Sequence, residues 1–185
     1  MFKNTIFRRM TALVLTLALA AAAALPGLAV YPMPIQTASE TEAVYLFNAD
    51  TGKTILNQNA GQQQYVASLT KLMTALLLLE SGKDLNGEVT VPTALTQEFR
   101  DIQNANGTTM NLRIGETVRR IDMMYAMLLP SANDAASVLA NDTSGSLAAF
   151  AAQMNVRASQ LGCTATHFTC PHGLYDGGNY STARD

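Results

Sequence analysis

A chain of 185 residues, 48% apolar and 14% charged, is one domain's worth of sequence with enough length to bury a core. Its composition excludes collagen-like and disordered classes, and 12 Lys+Arg against 14 Asp+Glu leave no basic stripe for nucleic acid. The only adjacent basic pair is Arg119-Arg120 outside the extreme N-terminus.

Residues 1–29 read as a secretory signal peptide. Lys3, Arg8 and Arg9 form the positive start, Met10 to Leu25 the apolar run, Pro26 a helix break, and Gly27-Leu28-Ala29 a small-residue cleavage site, with cleavage expected after Ala29. An uncleaved membrane anchor is the alternative, disfavoured because the apolar run is short for a span and ends in Pro and Gly. Export without the leader leaves 9 Lys+Arg against 14 Asp+Glu, a formal charge of −5. Cys163 and Cys170 would then lie outside the cytoplasm, where they could close a short loop or remain free thiols; spacing alone does not decide. His167, His172 and Asp176 stand near these cysteines, but the spacings match no zinc pattern, so neither metal nor cofactor is expected.

Residues 30–42 are Pro-rich and polar, a flexible lead-in to a domain over 43–185. Two apolar stretches, Ala43 to Phe47 and Thr54 to Leu56, flank Asn48-Ala49-Asp50-Thr51-Gly52 and predict a β-hairpin. A helix from about Ser68 to Ser81 follows, stopped by Gly82; it is apolar nearly all round and is expected in the middle of the domain. A short strand at Glu88 to Val91, a helix opened by Pro92, and loop material before Glu116 come next. Thr117 to Leu129 predicts a helix with Val118, Ile121, Met124, Tyr125 and Leu128 as its inner stripe, ended by Pro130. A short helix from Asn133 to about Ala140 and a longer one from Ser146 to Leu161, burying Leu147, Phe150, Ala151, Met154 and Ala158, complete a helical middle. Thr182, three residues before Asp185, is a helix N-cap signal at the chain's end. A lone hairpin is marginal in water. The sequence is therefore expected to lack the C-terminal strands of its sheet.

Lys71 is the only charged residue between Lys53 and Glu80, and it follows Ser68 by three positions, so a helix would put the two on one face. A serine needs a base to become a nucleophile, and burial lowers a lysine's pKa toward that role. Ser68 at the helix start would also meet backbone N–H groups suited to an oxyanion. Against this, Ser-x-x-Lys is common by chance, with Ser68 a cap and Lys71 reaching water. A second element, "LLPSANDAA", puts Ser131 and Asn133 in a turn after Pro130, where capping is again the plain explanation. Together the two elements suggest active-site serine enzymes with S-x-x-K, S-x-N and K-T-G motifs.

The stretches Val66-Ala67-Ser68-Leu69-Thr70-Lys71, "MTALLLLE", "LLPSANDAA" and "THFTCPHGLYDGGNYSTARD" occur in that order. In this combination the chain resembles the D-alanyl-D-alanine carboxypeptidases, the low-molecular-mass penicillin-binding proteins of peptidase family S11, from about Ala43 to Asp185. The resemblance implies an α+β, β-lactamase/transpeptidase-like fold: a helical middle and an N-terminal β-hairpin belonging to an antiparallel sheet. It implies Ser68 as acylated nucleophile, Lys71 as its base, Ser131 as a proton relay to the leaving amine, and Asn133 as the group holding Lys71 and the substrate amide. The implied partners are a peptidoglycan pentapeptide and β-lactams, outside the cytoplasm at the cell wall or the outer face of the cytoplasmic membrane. An amphipathic segment for peripheral membrane association is expected further on in the family.

Three departures stand out. Cys170 replaces the family's usual Asn before Pro-x-Gly-Leu, Ala132 a common Gly, and no K-T-G follows Ser131 within these residues. That last motif supplies part of the oxyanion hole, so a non-catalytic peptidoglycan- or penicillin-binding remnant is the alternative. A class A β-lactamase would need a glutamate after Ser-x-Asn, and none occurs from Ser131 to Asp185.

Overall fold

The computed structural model describes residues 39–174 and 176–185; the expected leader and most of the lead-in lie outside the described residues. Strands β1 (Val44–Phe47) and β2 (Thr54–Gln58) pair antiparallel, Val44 opposite Gln58 and Leu46 opposite Leu56, with a register shift after Leu46. The turn chemistry is the one the sequence predicts. Asn48 Oδ1 accepts Thr51 N–H at 2.9 Å, and Gly52 takes a φ of +66°, which a side chain would resist.

A 3₁₀ turn at Ala67–Leu69 leads into α1 (Thr70–Glu80), which ends with Gly82 at φ +70°. The expected all-round burial of this helix is not found. Leu78 is fully buried, but Leu69, Leu72 and Leu79 are 64%, 62% and 52% exposed. The middle of the domain belongs instead to α4 (Asn133–Ser144), whose residues Asn133 to Ala140 are all buried. It packs on α1, on α2 (Thr96–Asn104), on α3 (Arg120–Leu128) and on α5 (Leu147–Gln160). Ala132, Ala135, Ala136 and Ala140 explain the choice, because small side chains let several helices approach one axis closely. Helix α4 also runs one turn past its expected end, to a left-handed Gly145.

Thr117–Arg119 is not helical, as the sequence suggested, but a strand, β4, paired with β3 (Glu88–Thr90). β-Branched Thr117 and Val118 suit that state, and Thr90 and Thr117 hydroxyls meet at 2.9 Å across the ladder. The hairpin is accordingly not the sole pair: two separate two-stranded sheets occur among the described residues. In α3 the buried residues are Met123 and Met127, not Tyr125 and Leu128, which are exposed. Of the expected stripe, Val118 and Met124 are half-buried against the same core. Both arginines of the basic pair are neutralised, Arg119 by Asp122 at 2.8 Å and Arg120 by Asp142 at 2.7 Å.

Helix α5 is capped by Ser146, whose hydroxyl accepts Ala149 N–H, and buries Phe150, Ala151, Met154 and Ala158 as expected. Beyond it the chain returns to α1. Gln64 bridges Ser181, His167 bridges Tyr180, and Asn155 brackets Phe168 with two 2.8 Å bonds to its backbone. Thr182 does cap Asp185 N–H at 3.1 Å, though no helix is assigned there. Cys163 and Cys170 are both free thiols.

Candidate active site

Lys71 is 2% exposed and reaches three oxygens: Asn133 Oδ1 at 2.8 Å, His172 O at 2.7 Å and Ser68 Oγ at 3.1 Å. The helix geometry delivers Ser68 one turn from Lys71, as the spacing predicts. Asn133 comes from the first turn of the central helix α4, and His172 from the returning C-terminal loop. Ser131 stands in the turn before α4, its Oγ 2.7 Å from Ser68 Oγ. In this arrangement Ser131 bonds Ser68 and not Lys71. Ser68 itself is exposed, in an open cleft of about 390 Å³ lined also by Met127, Leu128 and Leu72.

The carboxamide cannot turn round. Asn133 Nδ2 donates to Thr108 O at 3.0 Å, which only accepts, so Oδ1 is fixed toward Lys71. Asp134 secures that loop in turn, its carboxylate receiving Met110 N–H and Leu112 N–H at 3.0 Å each. A Cβ on Gly107 would meet Asn133 Nδ2 at 2.9 Å, so a side chain there would crowd the same contact.

Burial lowers the Lys71 pKa from 10.5 to about 8, against a smaller upward pull from Cys170. Near neutrality a fraction on the order of a tenth is then neutral amine. A neutral amine has two N–H bonds and one lone pair. Asn133 Oδ1 and His172 O are acceptors only and take the two N–H groups, which leaves the lone pair for Ser68 Oγ. The surroundings therefore aim the amine as well as favour its neutral form.

Backbone conformation flanks the hydroxyls. Ala67 and Ser131 hold φ at +46° and +66°, in the left-handed region that non-glycine residues seldom adopt, and both sit beside the cleft. The loop 171–173 is held to α1 by Thr74 Oγ1 donating to Pro171 O at 2.6 Å, and to the segment before it by the hydroxyl of Tyr65 donating to Gly173 O. Gly173 has φ +80°, and a Cβ there would lie 1.9 Å from Ala67 O. Sequence reasoning named Ser68, Lys71, Ser131 and Asn133, and all four meet. It missed Thr108, His172 O and Gly173, two of which act through backbone oxygens that no side-chain pattern reports.

The same architecture occurs in solved structures. The DD-transpeptidase of Streptomyces K15 superposes with a TM-score of 0.68 at 32% identity, covering 77% of this chain and 56% of that one. Penicillin binding protein 5 from Haemophilus influenzae gives 0.63 at 33% identity, over 72% of this chain and 39% of that one. The fold is thus of the DD-transpeptidase, β-lactamase-like class. The chain belongs to the D-alanyl-D-alanine carboxypeptidase family, peptidase family S11, whose family model matches residues 32–185. Among curated relatives, D-alanyl-D-alanine carboxypeptidase DacF of Bacillus subtilis is 33% identical over 153 residues, 81% of this chain and 38% of the relative. A D-alanyl-D-alanine endopeptidase of Pseudomonas aeruginosa is 35% identical, covering 83% of this chain and 47% of its own length. The chain spans under half of either relative.

Proposed function

We propose that this chain carries the nucleophile and base of a serine-type D-Ala-D-Ala carboxypeptidase acting on peptidoglycan stem peptides outside the cytoplasm. Ser68 Oγ attacks the carbonyl carbon of the penultimate D-Ala while its proton passes to the Lys71 amine. Ser131, whose Oγ lies 2.7 Å from Ser68 Oγ, gives its own proton to the leaving D-Ala nitrogen as the C–N bond breaks and is reprotonated from the Lys71 ammonium, a transfer that needs the two side chains to meet once Ser68 is acylated. Water then releases the shortened peptide from Ser68. A β-lactam presents a similar amide carbonyl in a ring, so it acylates the same serine. The observation that carries this reading is the pair of obligate acceptors, Asn133 Oδ1 and His172 O, that turn the Lys71 lone pair toward Ser68.

A fluorescent penicillin tests it on the purified protein. Covalent label on Ser68, absent from Ser68→Ala, is the expected result. Label that persists in the variant overturns the assignment of the nucleophile. Penicillin that binds without any covalent adduct favours the non-catalytic binding protein instead.

A further inference from the structure

His172 O, one of the two acceptors that turn the Lys71 amine, belongs to a loop and not to a helix or strand, so no ladder of backbone bonds fixes its direction. Its peptide unit leads into Gly173 at φ +80°, a residue type that rotates easily, and follows Pro171, which has no N–H to contribute. Three consecutive carbonyls of this loop are engaged by side chains: Pro171 O by Thr74, His172 O by Lys71 and Gly173 O by the Tyr65 hydroxyl. The Lys71 bond cannot anchor its own acceptor, because an ammonium on a flexible four-carbon stem follows the oxygen that it meets. The carbonyl needs a hold from another direction.

The His172 side chain supplies that hold. The residue is 7% exposed, and both of its ring nitrogens have partners. Nδ1 accepts Leu174 N–H at 3.1 Å, so the ring proton sits on Nε2, which donates it to Glu98 Oε1 at 2.9 Å. A flipped ring would set a carbon against each partner, so the two bonds fix its orientation together. Glu98 stands in the first turn of α2, and the same oxygen receives the hydroxyl of Ser137 at 2.8 Å. Ser137 is fully buried in α4, four residues and one turn beyond Asn133 on the same face. One face of the central helix therefore governs both acceptors of the lysine, Asn133 Oδ1 directly and His172 O through Ser137, Glu98 and the imidazole.

We propose that Glu98 and Ser137 are positioning residues for Lys71: with the His172 ring they form a latch that keeps His172 O where it takes one N–H of the amine and leaves the lone pair on Ser68. The latch deepens the reading of Lys71 as the base of the reaction and rests on it. Neither Glu98 nor Ser137 touches Ser68 or the amine, so both act through the backbone of residue 172. Removing the acceptor at Glu98 leaves a buried ring N–H unsatisfied, which favours a shift of the loop toward water. A displacement of about 1 Å in a group aligned for reaction costs up to about 10²-fold in rate.

Three variants test the latch. Glu98→Leu keeps the bulk and removes the acceptor, Glu98→Gln keeps an oxygen for both donors and removes the charge, and Ser137→Ala removes one hydroxyl. The rate constant for Ser68 acylation at saturating penicillin is measured together with the dissociation constant that precedes it, and the Lys71 titration is followed by NMR of isotope-labelled lysine. Glu98→Leu is expected to slow acylation about tenfold or more with the dissociation constant within about twofold, Ser137→Ala to slow it about threefold, and Glu98→Gln to restore most of the rate. In Glu98→Leu the loosened loop admits water to the amine, so the Lys71 midpoint should rise from about 8 toward 10.5, while Glu98→Gln keeps it near 8. Cys170, whose charge acts on Lys71 from the same loop, is unaltered in all three variants. Where an adduct forms, the acylation rate decides: an unaltered rate in Glu98→Leu, a Glu98→Gln as slow as Glu98→Leu, or a loss confined to the dissociation constant overturns the latch. If even the unaltered protein forms no adduct, the assignment of Ser68 as nucleophile fails and the titration alone decides. A midpoint raised by Glu98→Leu and restored by Glu98→Gln then supports the latch, and an unmoved one refutes it. Should Glu98→Leu not fold, Ser137→Ala takes its place, and an unaltered rate there, or an unmoved Lys71 midpoint where no adduct forms, refutes the proposal.

Discussion

The two sides of α1 invert the usual order of a helix. Toward the domain it buries Thr70, Lys71 and Thr74, at 0%, 2% and 0% exposure, alongside Leu78. Away from it stand Leu69, Leu72 and Leu79, all more than half exposed. Every buried polar group has a stated partner: Lys71 has three oxygens, Thr74 has Pro171 O, and Thr70 Oγ1 receives Asn179 Nδ2 at 3.0 Å. Polar burial is tolerable when each hydrogen bond is made, and costly otherwise. The inward side is therefore specified by geometry and the outward side is only apolar. Leu69, Leu72 and Leu76 line a groove of about 320 Å³ with Leu161 and Phe168, so that side is a surface awaiting contacts of a looser kind.

Substitutions on the two sides should differ by orders of magnitude. The largest effect is expected at Lys71: Lys71→Met should cut the rate constant for Ser68 acylation by penicillin about 10³-fold, in the range that a positioned general base supplies. Asn133→Leu should follow with about 10²-fold, since the amine survives but loses the acceptor that turns its lone pair; stopped-flow acylation rates measure both. If Asn133→Leu leaves the rate intact, the inward side matters for charge alone. Gly173→Ala should destabilise by more than about 2 kcal/mol in urea unfolding and slow acylation as well. Its Cβ would press on the Ala67 carbonyl, next to Ser68, from a left-handed backbone.

The comparison sharpens further between leucines of the same helix. Leu78→Ala should cost about 2–5 kcal/mol, whereas Leu72→Ala should stay within about 0.5 kcal/mol. Similar costs at the two positions would mean that the outward side is covered in solution.

pH provides the mildest test. With Lys71 held at about 8, acylation should rise roughly tenfold per unit up to that pH and then level off. The stability effect has a definite sign. Between about 8 and 10.5 the unfolded chain holds the Lys71 proton and the folded one has lost it, so this group makes stability increase with pH across that window. Below about 8 both states are protonated, and the buried charge costs its full amount, roughly 3 kcal/mol. Unfolding curves of the protein and of Lys71→Met, compared at pH 7 and pH 10, isolate the contribution.

Much of this was readable in the sequence. Asn48 to Gly52 fixed a turn because their side chains satisfy it locally. Ser68 and Lys71 are one turn apart on any helix, and Ser146 announces α5 by the bond it makes three residues on. Thr182 likewise caps Asp185 although no helix is assigned there. Misreadings arose where distant segments compete for the same residues. Thr117–Arg119 continues the helical pattern of the residues after it, yet β3 offers it a ladder, and the buried residues of α3 are Met123 and Met127.

The residues' own chemistry thus determined the local turns, the helix that carries Ser68 and Lys71, and the set of groups able to act on a carbonyl. Tertiary structure alone decided that an alanine-rich helix takes the centre, that Lys71 loses its water, and that backbone oxygens of Thr108 and His172 fix Asn133 and the lysine amine. The reason is that hydration and the direction of a lone pair depend on atoms brought from far along the chain. Lys71 and His172 are 101 residues apart in sequence and 2.7 Å apart in space.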